Sequence, residues 1–378
     1  MTDAVRGRWD QAFDGVVAAF AQTVTGAAGG AALTVRVGGH TAVSVHGGWA
    51  DADLRWEADT PTVVFSCTKG IASVVVAMLL DRGLISSLDE PLARYWPEFA
   101  HAGKGSVSIG DALAHRAGVP GPDRDLTLAE VLDGHTLAEN IAAMTPLWEP
   151  GTAHTYHPLT HGVLTEQLVL RTDGRSLGRF IAEEIAGPRG LDLWLGAGAE
   201  TAVRRARPIL GEPATTDFVP SPGVAERVEH FLTFGGAFPP RLTGRDVGFD
   251  DPAVLAAGLG GAGALATADG LAGFWAAVVD PSEPLVSAGA LRALTALRGD
   301  EEPRFASIPA PYHRWGAGVA LSSERQPLTS SAAFGHAGAG GQVAFADPSR
   351  HLGVAYVTNL MIDTARGDAV VRELSRVL

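Results

Sequence analysis

Strand signal is concentrated near the two ends of this 378-residue chain, and this distribution constrains the fold more than any other feature. Near the N-terminus, apolar residues alternate over 32–37 and 41–45 on either side of Gly38 and Gly39, which is typical of a β-hairpin. Near the C-terminus, apolar and β-branched residues predict strands at 315–321, 342–346 and 352–358, the last two joined by a turn at 347–349. Strands at both ends predict one sheet built from both termini.

Helical patterns fill much of the remaining chain. Apolar residues recur at helical spacing over residues 66–82, and Gly83 would end that helix. Helices are also predicted at 8–24, 177–185 and 364–378, the second of them ended by Gly187 and Pro188. Residues 84–250 are rich in turns and short helices and carry little strand signal. The order of elements therefore predicts an α/β (α+β) fold with a helical lobe inserted into the sheet-forming part.

Composition limits the possible partners and compartments. The chain is 46% hydrophobic and 19% charged, which provides a large core without a disordered tract. Its net charge of −13 argues against nucleic acid and anionic membranes as partners, because both need a basic surface. The N-terminus is too charged for a secretory signal, and the longest uncharged run, residues 15–35, holds too many polar residues and glycines for a membrane span. The single cysteine, Cys67, excludes an internal disulfide, so we expect a cytoplasmic protein without a membrane partner.

Ser66 and Lys69 form a Ser-x-x-Lys pattern at the predicted start of a helix. Residues three apart share a helix face, so the hydroxyl and the amine can meet. The helix N-terminus favours an oxyanion and disfavours protonation of the lysine. The alternative is a helix-capping serine followed by a surface lysine. The chain has only two lysines, Lys69 and Lys104, against 27 arginines, so a lysine kept here indicates a task that requires loss of a proton.

Two later segments carry further candidate residues. Tyr156 lies in a loop-like stretch, residues 148–158, where a nearby lysine cation would lower the pKa of its phenol and let it act as base or acid. A packed aromatic residue is the alternative. Residues 335–341 are rich in glycine beside the C-terminal strands, where a backbone N–H could donate to an oxyanion. A plain turn before a hairpin is the alternative there.

Two sequence patterns of other enzyme classes are weak or missing. Residues 258–263 match Gly-x-Gly-x-x-Gly, but no alternating series of strands and helices surrounds them, which disfavours a dinucleotide site. The chain has no Gly-x-Ser-x-Gly pattern, which disfavours an α/β-hydrolase.

Cysteine and histidine residues near these segments have structural interpretations. Cys67 follows the serine directly and would point away from the lysine, which favours a small core residue over a nucleophile. His154, His157 and His161 have a spacing similar to that of metal ligands, but Pro158 interrupts them and no acidic residue is near. We therefore predict no metal site.

Taken in order, the segments resemble the class C β-lactamases, their family VIII carboxylesterase relatives and related acyltransferases. The resemblance covers nearly the whole chain. It includes residues 109–119, which are similar to the family's Leu-Leu-x-His-x-Ser-Gly-Leu segment, the Glu149-Pro150-Gly151 lead-in to the tyrosine, and residues 260–267. It implies a β-lactamase/transpeptidase-like fold with an antiparallel sheet flanked by helices. The implied organisation is one catalytic domain, residues 1–378, with an α/β lobe at roughly 1–80 and 255–378 and a helical lobe at roughly 81–254.

The resemblance also implies roles for individual residues. Ser66 would attack the substrate while Lys69 and Tyr156 relay its proton, so that an acyl-enzyme forms. The oxyanion would lie between the backbone N–H groups of Ser66 and Ala339, with His336 and Gly338 beside the substrate. Each such N–H donor is typically worth about 3 kcal/mol of barrier. This chemistry needs no cofactor or metal; it needs a small-molecule ester or amide and, for acyl transfer, a second acceptor substrate.

Two departures from the β-lactamase pattern bear on the substrate. β-Lactamases carry Tyr-x-Asn, whereas this chain has Tyr156-His157-Pro158, without an amide to hold a lactam side chain. They also carry Lys-Thr-Gly, where this chain has His336-Ala337-Gly338 and lacks the groups that hold a penicillin-type carboxylate. Both departures favour ester hydrolysis or acyl transfer over β-lactam hydrolysis, and the sequence leaves open which of the first two occurs. A sensor protein that is acylated once and stays acylated is a further alternative.

Overall fold

The centre of the protein is an eight-stranded antiparallel sheet, seen in a computed structural model that describes residues 5–198, 201, 204–210, 221–238 and 248–378. Its strands, in chain order, are β1 (Val5–Trp9), β2 (Ala31–Val37), β3 (His40–Gly47), then β10 (Arg314–Trp315), β11 (Ala320–Leu321), β12 (Phe334–Gly338), β13 (Gln342–Asp347) and β14 (Leu352–Thr358). The order across the sheet is β1-β3-β2-β14-β13-β12-β11-β10. Short strands outside it are β4 (Trp49–Asp51), β5 (Leu54–Arg55), β6 (Thr62–Val63), β7 (Leu193–Trp194), β8 (Ile209–Leu210), β9 (Leu265–Ala266) and β15 (Leu360–Met361).

Strands from the two ends of the chain meet at the middle of this sheet. β2 pairs with β14 in one unbroken antiparallel register, in which Val35 lies opposite Val354. The predicted hairpin between β2 and β3 turns at Gly38 and Gly39, both with positive φ, as a tight turn matched to strand twist requires. The prediction of one sheet built from both termini is confirmed.

Helices cover both faces of the sheet. Their bounds are α1 (Asp14–Val24), α2 (Cys67–Asp81), α3 (Ile109–Leu113), α4 (Leu128–Leu132), α5 (His135–Ala143), α6 (Thr160–Asp173), α7 (Leu177–Ile181), α8 (Gly187–Arg189), α9 (Ala225–Thr233), α10 (Pro252–Ala256), α11 (Ala268–Val278), α12 (Ala288–Thr295) and α13 (Ala365–Val377). On one face α1 and α13 pack together, and Phe20 of α1 meets Tyr356 of β14 edge to face. On the other face α11 lies on β14 and β2, and α2 lies on β12. The second face therefore carries the helix that begins beside Ser66.

Three predicted elements differ from the structure. Residues 8–24 are not one helix, because Val5–Trp9 add an edge strand to β3 and only the part after a short 3₁₀ turn is α-helical. The segment 315–321 is not one strand, because the chain reverses between β10 and β11 and the two short strands pair with each other. The helix predicted at 177–185 continues through a π-helical turn, Ala182–Ala186, into α8 (Gly187–Arg189), so the chain remains helical through Gly187 and Pro188 instead of ending before them.

The region between β6 and β9 is mostly helical. It contains α2 to α10 of the described residues, and α2, α6 and α7 pack against one another there. The predicted lobe boundaries at 80/81 and 254/255 stay a prediction, and parts of the helical lobe lie outside the described residues. Within the described ranges, no helix has both the length and the apolar character needed to cross a membrane.

Candidate active site

Ser66 lies at the N-terminus of α2, where β6 gives way to the helix. The residue before it, Phe65, is buried and has a positive φ of 45°, a strained backbone conformation for a residue with a side chain. The Ser66 side chain is half-buried and does not cap the helix. Its Oγ instead receives a hydrogen bond from Lys69, which removes the interpretation of Ser66 as a simple helix cap.

Lys69 is fully buried on the first turn of α2. Its Nζ donates to Ser66 Oγ at 3.1 Å and to the Gly261 carbonyl oxygen at 2.7 Å. Burial lowers the pKa of Lys69 from 10.5 to about 7, because a buried ammonium loses its hydration. Lys69 is therefore not a surface lysine, and it exchanges its proton near neutral pH.

The position of the Gly261 carbonyl oxygen beside Lys69 depends on glycines in two segments. In the sequence, the glycines near 261 were noted only for the family resemblance and for the disfavoured dinucleotide pattern. A Cβ on Gly162, in α6, would lie 2.2 Å from the Gly261 nitrogen, so a side chain there would clash with the backbone. A Cβ on Gly261 would lie 2.8 Å from the carbonyl oxygen of Leu159. The absence of side chains at these glycines thus lets the segment 258–263 pack directly against the backbone at the start of α6. That contact places the Gly261 carbonyl oxygen beside Lys69 Nζ. No spacing in the sequence marks Gly261 as the partner of a residue 192 positions away.

Tyr156 lies in the loop before α6, and its ring covers the lysine. Lys69 Nζ is 4.7 Å from the centre of the phenol ring. The pKa of Tyr156 is raised, because burial disfavours a phenolate more strongly than a hydrogen bond with Ser66 stabilises it. The expectation that a lysine cation lowers this pKa is wrong, because desolvation of the phenol is the largest influence on it. Tyr156 therefore faces the serine as a protonated phenol.

His336 lies on β12, above the start of α2. Its carbonyl oxygen accepts a hydrogen bond from Cys67 Sγ at 3.2 Å, and its ring lies 6.0 Å from the ring of Tyr156 and 5.6 Å from that of Trp315. Its Nδ1–H donates to the Ala337 carbonyl oxygen at 2.6 Å. Burial lowers the pKa of His336 to about 3, so the ring is neutral at any ordinary pH. The position where β-lactamases carry a lysine cation is here uncharged.

The end of β12 approaches Ser66 because Gly338 lacks a side chain. A Cβ on Gly338 would lie 2.6 Å from the Val64 carbonyl oxygen and 3.2 Å from Cys67 Sγ. Ala339 follows directly, in a short 3₁₀ turn before β13. Gln342, which no sequence pattern marked, donates from Nε2 to the Val63 carbonyl oxygen at 2.9 Å and to that of Ala339 at 3.3 Å. Gln342 thereby joins the strand before Ser66 to the turn that carries the predicted second oxyanion donor.

The cysteine and the loop histidines have the structural surroundings of core residues. Burial raises the pKa of the Cys67 thiol to about 12, which leaves no reactive thiolate. His157 donates from Nδ1 to the Thr155 carbonyl oxygen and accepts at Nε2 from the Val119 N–H, while His154 lies 3.5 Å from Glu301. Over the described part of the chain, no three His, Cys, Asp or Glu side chains are arranged to hold a metal ion.

Known proteins resemble this chain in sequence and in fold. The sequence profile of the Beta-lactamase family matches residues 9–375. The esterase/beta-lactamase LipL of Mycobacterium tuberculosis is 31% identical over 369 residues, covering 95% of this chain and 83% of that protein. A crystal structure of a penicillin-binding protein homologue from Caulobacter crescentus superposes with a TM-score of 0.87 at 30% identity, over 99% of this chain and 100% of that one. A family VIII carboxylesterase superposes with a TM-score of 0.85 at 29% identity, over 99% and 100% of the two chains.

Proposed function

The chain belongs to the beta-lactamase family and is a serine hydrolase, and we propose that it hydrolyses a small-molecule carboxylic ester through an acyl-enzyme on Ser66. One observation carries the proposal. A half-buried serine hydroxyl lies 3.1 Å from the amine of Lys69, whose pKa burial lowers to about 7. A neutral amine at that distance is a general base for a serine, which is otherwise a weak nucleophile.

Acylation begins with attack of Ser66 Oγ on the ester carbonyl carbon. Lys69 Nζ takes the hydroxyl proton as the new C–O bond forms, and the carbonyl oxygen becomes an oxyanion. The N–H groups of Ser66 and Ala339 are the proposed donors to it. Tyr156, a protonated phenol between lysine and substrate, gives its proton to the departing alkoxide and recovers one from the Lys69 ammonium. The alcohol leaves, and the acyl group stays on Ser66, with Lys69 again neutral and Tyr156 again protonated.

Deacylation repeats these steps with water in place of the serine. Lys69 removes a proton from the water as it attacks the acyl carbon, and the same two N–H groups stabilise the second oxyanion. Ser66 then leaves with a proton returned from the Lys69 and Tyr156 pair. An amine or alcohol in place of water would give acyl transfer by the same chemistry, so an acceptor-competition experiment separates the two reactions.

The uncharged side chains at positions 336 and 337 favour an ester substrate over a β-lactam. His336 is neutral, and its neighbour Ala337 has no hydroxyl, so these two positions offer a substrate carboxylate neither a charge nor a donor side chain. Pro158 stands where an asparagine would hold a lactam side chain. A simple ester needs neither group, because its reaction depends on the serine, the base and the oxyanion donors alone.

The test is hydrolysis of p-nitrophenyl acetate and butyrate by the wild type, Ser66→Ala and the control Ser331→Ala, which removes an exposed hydroxyl. We expect steady turnover by the wild type and the control, loss of at least about 10³-fold in Ser66→Ala, and one acetyl group on Ser66 by mass spectrometry after rapid acid quench. Equal activity of Ser66→Ala would exclude Ser66 as the nucleophile. A single burst without turnover would overturn the hydrolase proposal in favour of a sensor.

Acceptor competition distinguishes hydrolysis from transfer. The same assay is repeated with glycine amide or a short alcohol, and the products are separated by chromatography. We expect water to take most of the acyl groups at moderate acceptor concentration. Capture of the acyl group mainly by the added acceptor would show a transferase instead. Hydrolysis of nitrocefin faster than of the butyrate ester would overturn the ester preference.

A further inference from the structure

One residue outside the proposed catalytic group binds both neighbours of Tyr156. His115 follows α3, and its carbonyl oxygen accepts the N–H of Thr155 at 3.2 Å. Its ring nitrogen Nδ1 accepts the N–H of His157 at 3.2 Å. The backbone N–H groups of the residues before and after Tyr156 are thus hydrogen-bonded to the same residue. The His115 ring also lies against the Tyr156 ring, with centroids 4.7 Å apart.

The contact with His157 determines where the imidazole proton lies. Because Nδ1 accepts an N–H, its lone pair is in use and the proton of a neutral ring is on Nε2. A protonated ring would place an N–H against the N–H of His157. Burial and the surrounding cationic or potentially cationic groups lower the pKa of His115 well below its usual value, so the accepting form persists through the physiological range. The residue is fully buried and does not exchange this contact for water.

The backbone of His115 is strained, and the contacts with the tyrosine loop hold it in place. Its φ is +67°, in the left-handed region, which is uncommon for any residue with a side chain. The next residue, Arg116, accepts the N–H of Gly151 at its carbonyl oxygen and donates from its guanidinium to the Gly151 carbonyl oxygen. A strained residue kept between two such contacts is typical of a functional constraint.

We propose that His115 is a positioning residue that holds the Tyr156 phenol over Lys69 through its hydrogen bonds to the N–H groups of the residues before and after the tyrosine. The inference rests on the proposed role of Tyr156 in proton transfer. The feature of His115 that this role requires is the hydrogen-bond acceptor Nδ1. Without that acceptor the His157 N–H is buried and unpaired, and the loop has to shift to satisfy it. A displacement of about 1 Å of a reacting group can cost on the order of 10²-fold in rate.

The matched variants are His115→Gly and His115→Asn. Both residues tolerate a positive φ, so neither adds backbone strain. Asparagine carries Oδ1 near the place of the imidazole Nδ1 and can accept the same N–H, whereas glycine cannot. We expect kcat for p-nitrophenyl butyrate to fall about 10- to 100-fold in His115→Gly with KM changed less than about threefold, and to recover to within about fivefold of the wild type in His115→Asn.

A double-mutant cycle with Tyr156→Phe separates positioning from a general loss of structure. If His115 acts through the phenol, His115→Gly costs little further activity once the phenol is gone. An equal factor of decrease in kcat on His115→Gly in the wild-type and Tyr156→Phe backgrounds would overturn the proposal. A His115→Asn variant as slow as His115→Gly would also overturn it. Wild-type activity in Tyr156→Phe would instead overturn the proposed role of Tyr156.

Folding of the variants is checked by circular dichroism and thermal melting. If His115→Gly does not fold, His115→Asn alone carries the test, in the wild-type and Tyr156→Phe backgrounds. Near-wild-type kcat then supports the Nδ1 acceptor as the required feature. A folded His115→Asn that loses as much activity as Tyr156→Phe overturns it.

Discussion

Lys69 Nζ donates a hydrogen bond to Ser66 Oγ across a single helical turn, at 3.1 Å, while the lysine side chain is entirely removed from solvent. The spacing of three residues brings the two groups to one helix face. Burial then makes the lysine a base near neutral pH, because an ammonium without hydration loses its proton easily. This relationship is the origin of two expected pH dependences, one of activity and one of stability.

Ester hydrolysis should rise with pH through about 7. Lys69 is a base only when neutral, and burial lowers its pKa to about 7, so kcat/KM should fall about tenfold per unit below that pH. Burial raises the pKa of Tyr156, so ionisation of the phenol should cause no loss up to about pH 10. The measurement is kcat/KM for p-nitrophenyl butyrate from pH 5 to the alkaline limit of the assay, corrected for spontaneous hydrolysis. A pH-independent rate across pH 5 to 9 would contradict Lys69 as the base.

Lys69→Met should abolish hydrolysis and stabilise the fold. Below pH 7 the folded chain holds a buried ammonium, whose lost hydration we expect to reduce stability by a few kcal/mol, more than its hydrogen bond to the Gly261 carbonyl oxygen contributes. Between about 7 and 10.5 the unfolded chain carries a proton that the folded chain lacks, so wild-type stability rises with pH in that window. The free energy of unfolding from urea titrations should therefore favour Lys69→Met at pH 6.5, and the difference should shrink towards pH 10. A destabilised variant at pH 6.5 would contradict this account.

Lys104→Met should stabilise the fold less than Lys69→Met does at pH 6.5. Lys104 is also fully buried, but its Nζ donates to the carbonyl oxygens of His101 and Met144, the second at the C-terminus of α5. Burial lowers the pKa of Lys104 only to about 8, and a methionine leaves both acceptors without a donor, which we expect to cost about 1–3 kcal/mol. The same urea titrations measure the effect, with kcat/KM per folded molecule expected to stay unchanged. Stabilisation as large as that of Lys69→Met would contradict this account.

Gly338→Ala should reduce kcat by roughly 10²–10³-fold. The added methyl would meet the Val64 carbonyl oxygen at 2.6 Å, so β12 has to move away from Ser66 and Ala339 moves with it. Loss of one oxyanion donor typically has this effect on the rate. Gly198→Ala is the matched control, because a Cβ there meets nothing within 4 Å. Equal kcat in the two variants would mean that the end of β12 does not set the oxyanion geometry.

The scarcity of lysine was an informative but incomplete argument. With two lysines against 27 arginines, retention of Lys69 indicated a task that arginine cannot perform. The structure shows that both lysines are buried, and Lys104 has no contact with the proposed site. Both lysines therefore occur where a compact amine is enclosed by the protein, whether or not it takes part in catalysis. The catalytic interpretation needs the additional fact that Ser66 lies within reach.

The sequence alone determined the features that depend on near neighbours and on the order of elements. The β2–β3 hairpin follows from alternation around two glycines, and the closeness of Ser66 and Lys69 follows from helix geometry. One sheet built from both termini follows from the position of the strand-forming segments, since their apolar faces have no other partner.

Only the tertiary structure decided the chemistry of the individual groups. The pKa of Tyr156 moves in the direction opposite to the expected one, because burial depends on every segment that packs around the ring. Gly261 reaches Lys69, and His115 reaches both sides of Tyr156, across long separations in the chain that no local pattern records. Periodicity and motifs describe which groups can meet along one element, whereas desolvation and the pairing of buried donors and acceptors depend on contacts between elements.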